Sequence, residues 1–346
     1  MALIFMDGFD YYTAAQAGRR WAFVGPGGQT CAGRFNGQGW LWTGITSPTA
    51  MFTTFANTAT LTVGMAFSFD SFSGSESLVN PFLIFQDAGG NTQVDVRVGT
   101  DNTNGYFQIR NGSGTVLATP NFNTFSFGYW NYLEFQVTCD QSAGVIELRL
   151  NGTTAVRTTG INTRPHTATL ISRMVLQPID FAGAAINEKF DDLYLCDSTG
   201  TFDNTFLGEC RVQTNYPFAD GNEVDFVPKT GILHYAMVNE PQSDDDISYD
   251  AGSGIGQREL FQITPFSFNG TIFGVQVNVT QRKDDVGNRT IAVENRQGIV
   301  DYEGAPVMSL SQYAISSQIW QVNPNGGATW TLSTLNAAQF GIVIKS

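Results

Sequence analysis

A chain of 346 residues is longer than one hydrophobic core usually grows, so two domains are expected, each burying its own core. Charged residues make up only 14% of the chain while glycine numbers 37 and phenylalanine 27, which excludes a protein built on long solvated helices and suits short strands with tight turns. The net charge of −13, from 18 basic and 31 acidic residues with no lysine before Lys189, excludes nucleic acid as a partner, because phosphate binding draws on clustered Lys and Arg.

The chain opens on a short apolar strand, Leu3 to Met6, ended by a turn at Asp7 and Gly8. Tyr12 to Arg20 has a composition that suits two turns of helix, limited by Gly18. GRFNGQGWLW then puts Trp40 and Trp42 on one face of a strand. From Ala59 the period of two is clear, with Leu61, Val63, Met65, Phe67 and Phe69 on one face and Thr62, Gly64, Ala66, Ser68 and Asp70 on the other. A meander follows: Val94, Val96 and Val98 inward against Asp95 and Arg97 outward, then Phe107 and Ile109, then Thr115 to Ala118. The stretches DAGGN, TDNTNG and NGSG supply its turns. WNYLEFQVT and VIELRLNG read as a hairpin headed by Trp130, a core residue, and Asn151-Gly152 makes the next tight turn.

Phe190 to Leu195, FDDLYL, closes the first series of strands. Leu207 to Val212 alternates again and stops at Pro217, HYAMVNE reads as a short strand, and Phe273 to Val279 reads as the first arm of a hairpin with TIAVEN. Ser333 or Thr334 caps a short helix, LNAAQF, before a last strand from Ile342 to Ile344. Many short strands without intervening helices specify an all-β protein: a jelly-roll sandwich over residues 1–198, then a smaller β sandwich over residues 199–346.

Chemistry is sparse in this pattern. There is no HExxH, no GxSxG and no phosphate-cradling GxxxxGK[ST], and His166 and His234 read as structural or surface residues. Cys31, Cys139, Cys196 and Cys210 lack zinc spacing and read as reduced thiols; pairing Cys196 with Cys210 would need the chain to fold back in an oxidising compartment. No cofactor is expected. Asp244, Asp245 and Asp246 are weak calcium candidates, since they lack the glycine and distal glutamate of an EF-hand loop, and a solvated acidic loop is the simpler reading. Trp40 and Trp42 beside Asn36 and Gln38 are candidates for binding a glycan by ring stacking and hydroxyl contacts, with core packing as the competing reading for the two rings. A retaining glycosidase would need paired carboxylates; the nearest set, Glu188, Asp191 and Asp192 in EKFDDLYL, has an apolar Phe190 where a three-acid ladder needs its middle member. No basic leader and no run of about 18 apolar residues is present, so neither export nor membrane insertion is expected.

FDDLYLCDSTG, FLGECRVQTNYPFADG and HYAMVNEPQSDDDISY together resemble a family of tailed-bacteriophage virion proteins, in which a domain similar to concanavalin A-like and laminin G-like jelly rolls precedes a second β domain. The resemblance implies a structural part of the particle, on the tail as fibre, spike or baseplate-associated protein, or on the head as a decoration. It implies virion proteins as partners, a homo-oligomer, most simply a trimer, and a host surface glycan as ligand. It carries no catalytic residues, so the expectation is a protein that is not an enzyme. The alternative is a glycoside hydrolase or depolymerase on the same fold.

Overall fold

The computed structural model describes residues 2–43, 49–70, 80–100, 104–119, 125–166, 170–179 and 186–346; the middle of the expected TDNTNG turn, residues 101–103, lies outside them. Two compact units, Met1–Gln213 and Thr214–Ser346, make up the chain.

The first unit is two eight-stranded antiparallel sheets. The first sheet runs, edge to edge, through Thr153–Ile161, Gly144–Leu150, Asn131–Thr138, Thr60–Phe69, Asn187–Asp197, Gln38–Thr43 and Gly28–Ala32, with Leu3–Asp7 also paired to Asn187–Asp197. The second runs through Val116–Ala118, Asn104–Asn111, Thr92–Thr100, Pro81–Gln86, Ile171–Leu176, Met51–Thr58 and Phe23–Val24, with Phe125–Ser126 paired to Asn104–Asn111. The two inner faces meet as the alternation requires. Phe67 and Phe69 of the first sheet pack edge-on against Phe107 and Phe82 of the second, with ring centroids 5.7 and 5.8 Å apart, and Phe85 stacks on Phe135 at 5.4 Å. Burying each such ring is worth about 2–3 kcal/mol, so this aromatic layer dominates the cohesion of the sandwich.

The expected hairpin forms in register, Leu133 opposite Leu150, Phe135 opposite Leu148 and Val137 opposite Ile146. Asn151 and Gly152 then take φ values of 48° and 78°, the left-handed pair that a type I′ turn demands. The expected helix at Tyr12–Arg20 is a 3-10 helix, Ala14–Arg19.

Residues 199–213 depart from the expectation. Leu207–Val212 is not a strand, because its backbone donors are taken by side chains instead of a neighbouring ladder. The N–H of Leu207 donates to the Tyr194 hydroxyl at 3.0 Å, that of Gly208 to Glu134 Oε1 at 2.8 Å, and that of Val212 to Asp192 Oδ1 at 2.8 Å. Tyr194 and Glu134 both oppose Gly64 across the ladder, so this segment is laid over the outer face of the first sheet. Gly64 makes room for the Tyr194 ring that anchors it: a Cβ there would fall 2.0 Å from that ring.

The second unit has a six-stranded antiparallel sheet, Pro217–Val224, Arg258–Ile263, Gln339–Ile344, Thr290–Gln297 and Val300–Glu303, with Val307–Met308 on Thr290–Gln297. Two short ribbons, Val227–Pro228 with Asp250–Ala251 and Val275–Gln281 with Ala314–Trp320, complete it. Val275–Gln281 therefore does not form a hairpin with Thr290–Gln297, and HYAMVNE is a 3-10 turn at Tyr235–Met237 where a strand was expected. The helix spans Leu332–Asn336, capped by the Thr331 hydroxyl, which accepts from the Thr334 N–H at 3.1 Å. Trp330, Leu335, Ala338 and Phe340 form a core cluster here, with Trp320 and Phe266 packed against it. All four cysteines are free thiols, and no helix is long and apolar enough to cross a membrane among the described residues.

Candidate functional site

The five adjoining strands Met51–Thr58, Ile171–Leu176, Pro81–Gln86, Thr92–Thr100 and Asn104–Asn111 hold only four charged residues among their described positions: Asp95, Arg97, Arg110 and Arg173. All four lie on the outer face. Val94, Val96 and Val98 are fully buried on the inner face, so Asp95 and Arg97 point outward between them. Register carries the pattern sideways: Asp95 stands opposite Arg110, Arg97 opposite Gln108, Gly99 opposite Tyr106, and Arg173 opposite both Gln86 and Thr54.

Side-chain contacts hold this array in place. Arg97 Nε donates to Asp95 Oδ1 at 2.8 Å, Arg110 Nε donates to Gln108 Oε1 at 2.5 Å, and Arg173 Nη1 donates to Gln86 Oε1 at 3.4 Å. The Arg173 guanidinium also lies 4.4 Å from the Phe52 ring centroid, and Phe52 stacks on Phe23 at 5.4 Å. Burial raises the Asp95 carboxyl above the ordinary aspartate range, partly offset by Arg97 and Arg110. Beside Arg173, a groove of 370 Å³ opens between Thr54, Phe55, Asn57 and Ala88. Guanidinium groups, amide side chains and flat rings on an accessible sheet can grip a planar anion, orient hydroxyls and stack on an apolar ring face.

The residues expected to bind glycan are not brought together for that purpose. Trp40 and Trp42 are fully buried on the inner face, opposite Phe190 and Glu188, with ring centroids 5.5 Å apart. A sugar reaches neither ring, and core packing is their role. Asn36 is exposed in the preceding turn, while the backbone N–H of Gln38 donates to Asp10 Oδ1 at 2.7 Å.

The acids of EKFDDLYL are structural. Glu188 is 1% exposed and accepts from the Ile179 N–H, and burial holds its carboxyl well above the usual range. Asp191 precedes a bulge that contains Asp192, which takes a φ of 52°. Asp191 Oδ2 accepts from the Arg34 N–H at 2.7 Å, and Arg34 Nη1 lies 3.6 Å from Asp192 Oδ2. Burial, and for Asp191 the neighbouring charge of Asp192, raise both carboxyls. Their oxygens fix loops onto the first sheet and leave no free pair for catalysis.

Asp244, Asp245 and Asp246 do not converge on a cation. Asp244 Oδ1 accepts from Ser248 N at 2.9 Å, Asp245 bonds Ser243, and Asp246 is paired with Arg282 at 2.7 Å and Tyr313 at 2.9 Å. Among the described residues the group with metal-ligating geometry is His234, Asp250 and Glu259, whose ligand atoms all lie within 4.8 Å of one another. His234, expected to be structural or a surface group, therefore has its Nδ1 2.9 Å from Glu259 Oε1. Burial, with the negative charge of Glu259 on Asp250 and of Asp220 on both, pushes the Asp250 and Glu259 carboxyls up to about 7.

No protein-family model matches the sequence. No curated protein matches it either. Solved structures similar in fold include an endo-β-1,4-glucuronan lyase from the fungus Trichoderma reesei, at 11% identity over 56% of this chain and 95% of that one, with a TM-score of 0.43. An alginate lyase from Chlorella virus is similar at 15% identity over 53% of this chain and 95% of that one, with a TM-score of 0.39. A carbohydrate esterase from the Shiga toxin-encoding bacteriophage phi24B is similar at 14% identity over 56% of this chain and 99% of that one, with a TM-score of 0.37. These neighbours are described as enzymes, and the expectation of a protein that is not an enzyme is given up, since a missing catalytic sequence motif is no ground for it. The chain's own sheets make it an all-β protein built on a jelly-roll-type sandwich.

Proposed function

We propose that this chain is a polysaccharide-active protein of a tailed-phage particle, holding an acidic glycan across the outer face of the second sheet and cleaving it there. The observation that supports this most is the charge of that face: in a chain of net charge −13, five adjoining strands present three arginines and one buried aspartate on one side. Guanidinium groups pair with carboxylates in bidentate geometry, and a uronate polymer offers one carboxylate per ring. The phage setting rests on the long run at Phe190–Gly221 and its resemblance to virion proteins.

The same face favours one reaction type. Retaining glycoside hydrolysis needs two carboxylates about 5 Å apart, whereas Asp95 is the single carboxylate among the described residues of these strands. Elimination across a uronate needs something else: a cation on the carboxylate, to stabilise charge that develops when the C5 proton leaves, and a group that takes that proton and returns one to the glycosidic oxygen as the C4–O bond breaks and the C4=C5 double bond forms. Arg97 and Arg110 fit the first role. Tyr106 lies on the same face next to the Arg97–Gln108 pair and fits the second.

Incubation with alginate, polyglucuronate and polygalacturonate, followed by ultraviolet absorbance of an unsaturated product, tests the reading. Tyr106→Phe should remove the product and retain binding, whereas Arg97→Ala should weaken both. Absence of binding to every acidic polymer, with neutral dextran as control, would sink the glycan reading; binding without an unsaturated product would sink the elimination. Mass spectrometry of purified particles tests the phage setting separately.

A further inference from the structure

We propose that the second unit holds a divalent first-row transition-metal ion between His234 Nδ1, Asp250 and Glu259. Three separate segments within residues 234–259 supply the ligands. His234 precedes the turn Tyr235–Met237, Asp250 opens the short strand Asp250–Ala251 opposite Pro228, and Glu259 lies in the strand Arg258–Ile263, between Pro217–Val224 and Gln339–Ile344 in the six-stranded sheet. Their side chains meet within 4.8 Å, and the side-chain exposures of His234 and Glu259 are 13% and 2%.

The hydrogen-bond count points to a cation. Four buried atoms converge without a hydrogen-bond partner: His234 Nδ1, both oxygens of Asp250, and Glu259 Oε1. Each unpartnered buried polar atom is expensive, and proteins leave few of them. A proton on Nδ1 can join His234 to Glu259, whose separation is 2.9 Å, yet it leaves both Asp250 oxygens unmatched. A divalent ion satisfies all three side chains together and offsets two clustered carboxylates. Glu259 is also held from behind, since its Oε2 accepts from the Phe226 N–H at 2.9 Å, which leaves Oε1 directed at the cluster.

The donor set selects the metal class. An imidazole nitrogen with two carboxylates suits Zn²⁺ or Mn²⁺, while Mg²⁺ and Ca²⁺ favour all-oxygen sites. Three protein ligands leave room for water, and the ion would tie the Asp- and Ser-rich segment between His234 and Asp250 to the central sheet.

The test uses the full chain, stripped with chelator and titrated with Zn²⁺, Mn²⁺, Ca²⁺ and Mg²⁺ by calorimetry and thermal denaturation. One Zn²⁺ or Mn²⁺ per chain with a rise in melting temperature is expected. His234→Gln and Asp250→Asn should each lower the affinity by roughly tenfold or more, and both should remain folded because neither side chain accepts a backbone N–H here. Glu259→Gln serves only as a secondary variant because Glu259 also binds Phe226. Absence of uptake by the unmutated chain, equal response to Ca²⁺, or undiminished affinity in both variants would overturn the site.

Discussion

The two sheets of the first unit have similar inner faces and opposite outer ones. On the first sheet the outer positions are small, Thr62, Gly64, Ala66 and Ser68, and are flanked by carboxylates that accept backbone N–H groups from residues 207–212. On the second they are long and cationic or amidic, Arg97, Arg110, Gln108 and Arg173, and bond to Asp95, Gln108 and Gln86 on the same face. Small residues and acids let a sheet take on a third layer of chain; arginines keep its surface available. The difference teaches that an outer face is assigned by what its side chains can accept or donate, since strand alternation is the same on both.

Removing an acceptor from the covered face should do the most damage. Glu134 Oε1 accepts from the Tyr194 hydroxyl at 2.5 Å and from the Gly208 N–H at 2.8 Å. Glu134→Ala leaves the buried Tyr194 hydroxyl and the half-buried Gly208 N–H unmatched and opens a void, so a loss of about 3–5 kcal/mol is expected in urea unfolding. A loss below about 1 kcal/mol would show that the segment is not anchored there.

On the open face the order reverses, with stability spared and binding lost. Arg173→Ala combined with Arg110→Ala should change unfolding by no more than about 0.5–1 kcal/mol, because both side chains are partly solvated and Arg97 still pairs with the buried Asp95. Affinity for an acidic polysaccharide should fall by roughly a hundredfold, at about 1.5 kcal/mol or more for each charge-assisted contact. Higher salt should shrink the difference between mutant and parent.

How much of this was legible can be judged from single residues. The alternation of Val94, Val96 and Val98 with Asp95 and Arg97 gave both strand and outward direction, because a half-buried strand has a period of two. Parity alone also put Trp40 and Trp42 on one face, but it could not say which face, and the structure puts them inside. Arg173 joins the array only through its register with Gln86, and these residues are far apart in sequence. Leu207–Val212 carried a strand pattern, yet its donors bond to side chains, and no periodicity reveals that choice. His234, Asp250 and Glu259 share no motif spacing and meet only through the fold.

Acidity separates the faces more gently. Burial raises the carboxyls of Asp191 and Asp192 on the covered side and of Asp95 on the open side. A carboxyl raised on folding contributes stability that is complete below its unfolded value, about 4, and is lost as pH rises through its folded value. The melting temperature should therefore fall between about pH 5 and about pH 8. Asp191→Asn with Asp192→Asn should flatten that slope more than Asp95→Asn does, because Arg97 and Arg110 already offset the charge of Asp95. Equal flattening would mean the two faces bury their acids alike.

The smallest effect measures how far the open face extends. Phe23 is 47% exposed at the sheet edge and stacks on Phe52, which in turn lies under Arg173. From Phe52 to Arg110 the face crosses four strand spacings of about 4.8 Å, close to 19 Å. Phe23 adds one further step. Phe23→Ala removes an exposed ring, so stability should shift by less than about 1 kcal/mol. If a glycan crosses the whole sheet, its affinity should drop by roughly threefold to tenfold through lost stacking, at about 0.5–1.5 kcal/mol. Short oligosaccharides centred on Arg97 and Arg110 should not feel the change. Calorimetry with a size series of uronate oligomers would show the Phe23 effect setting in only above a certain chain length; an effect already present with the shortest oligomer that binds would place the sugar at the edge and remove the two central arginines from its path.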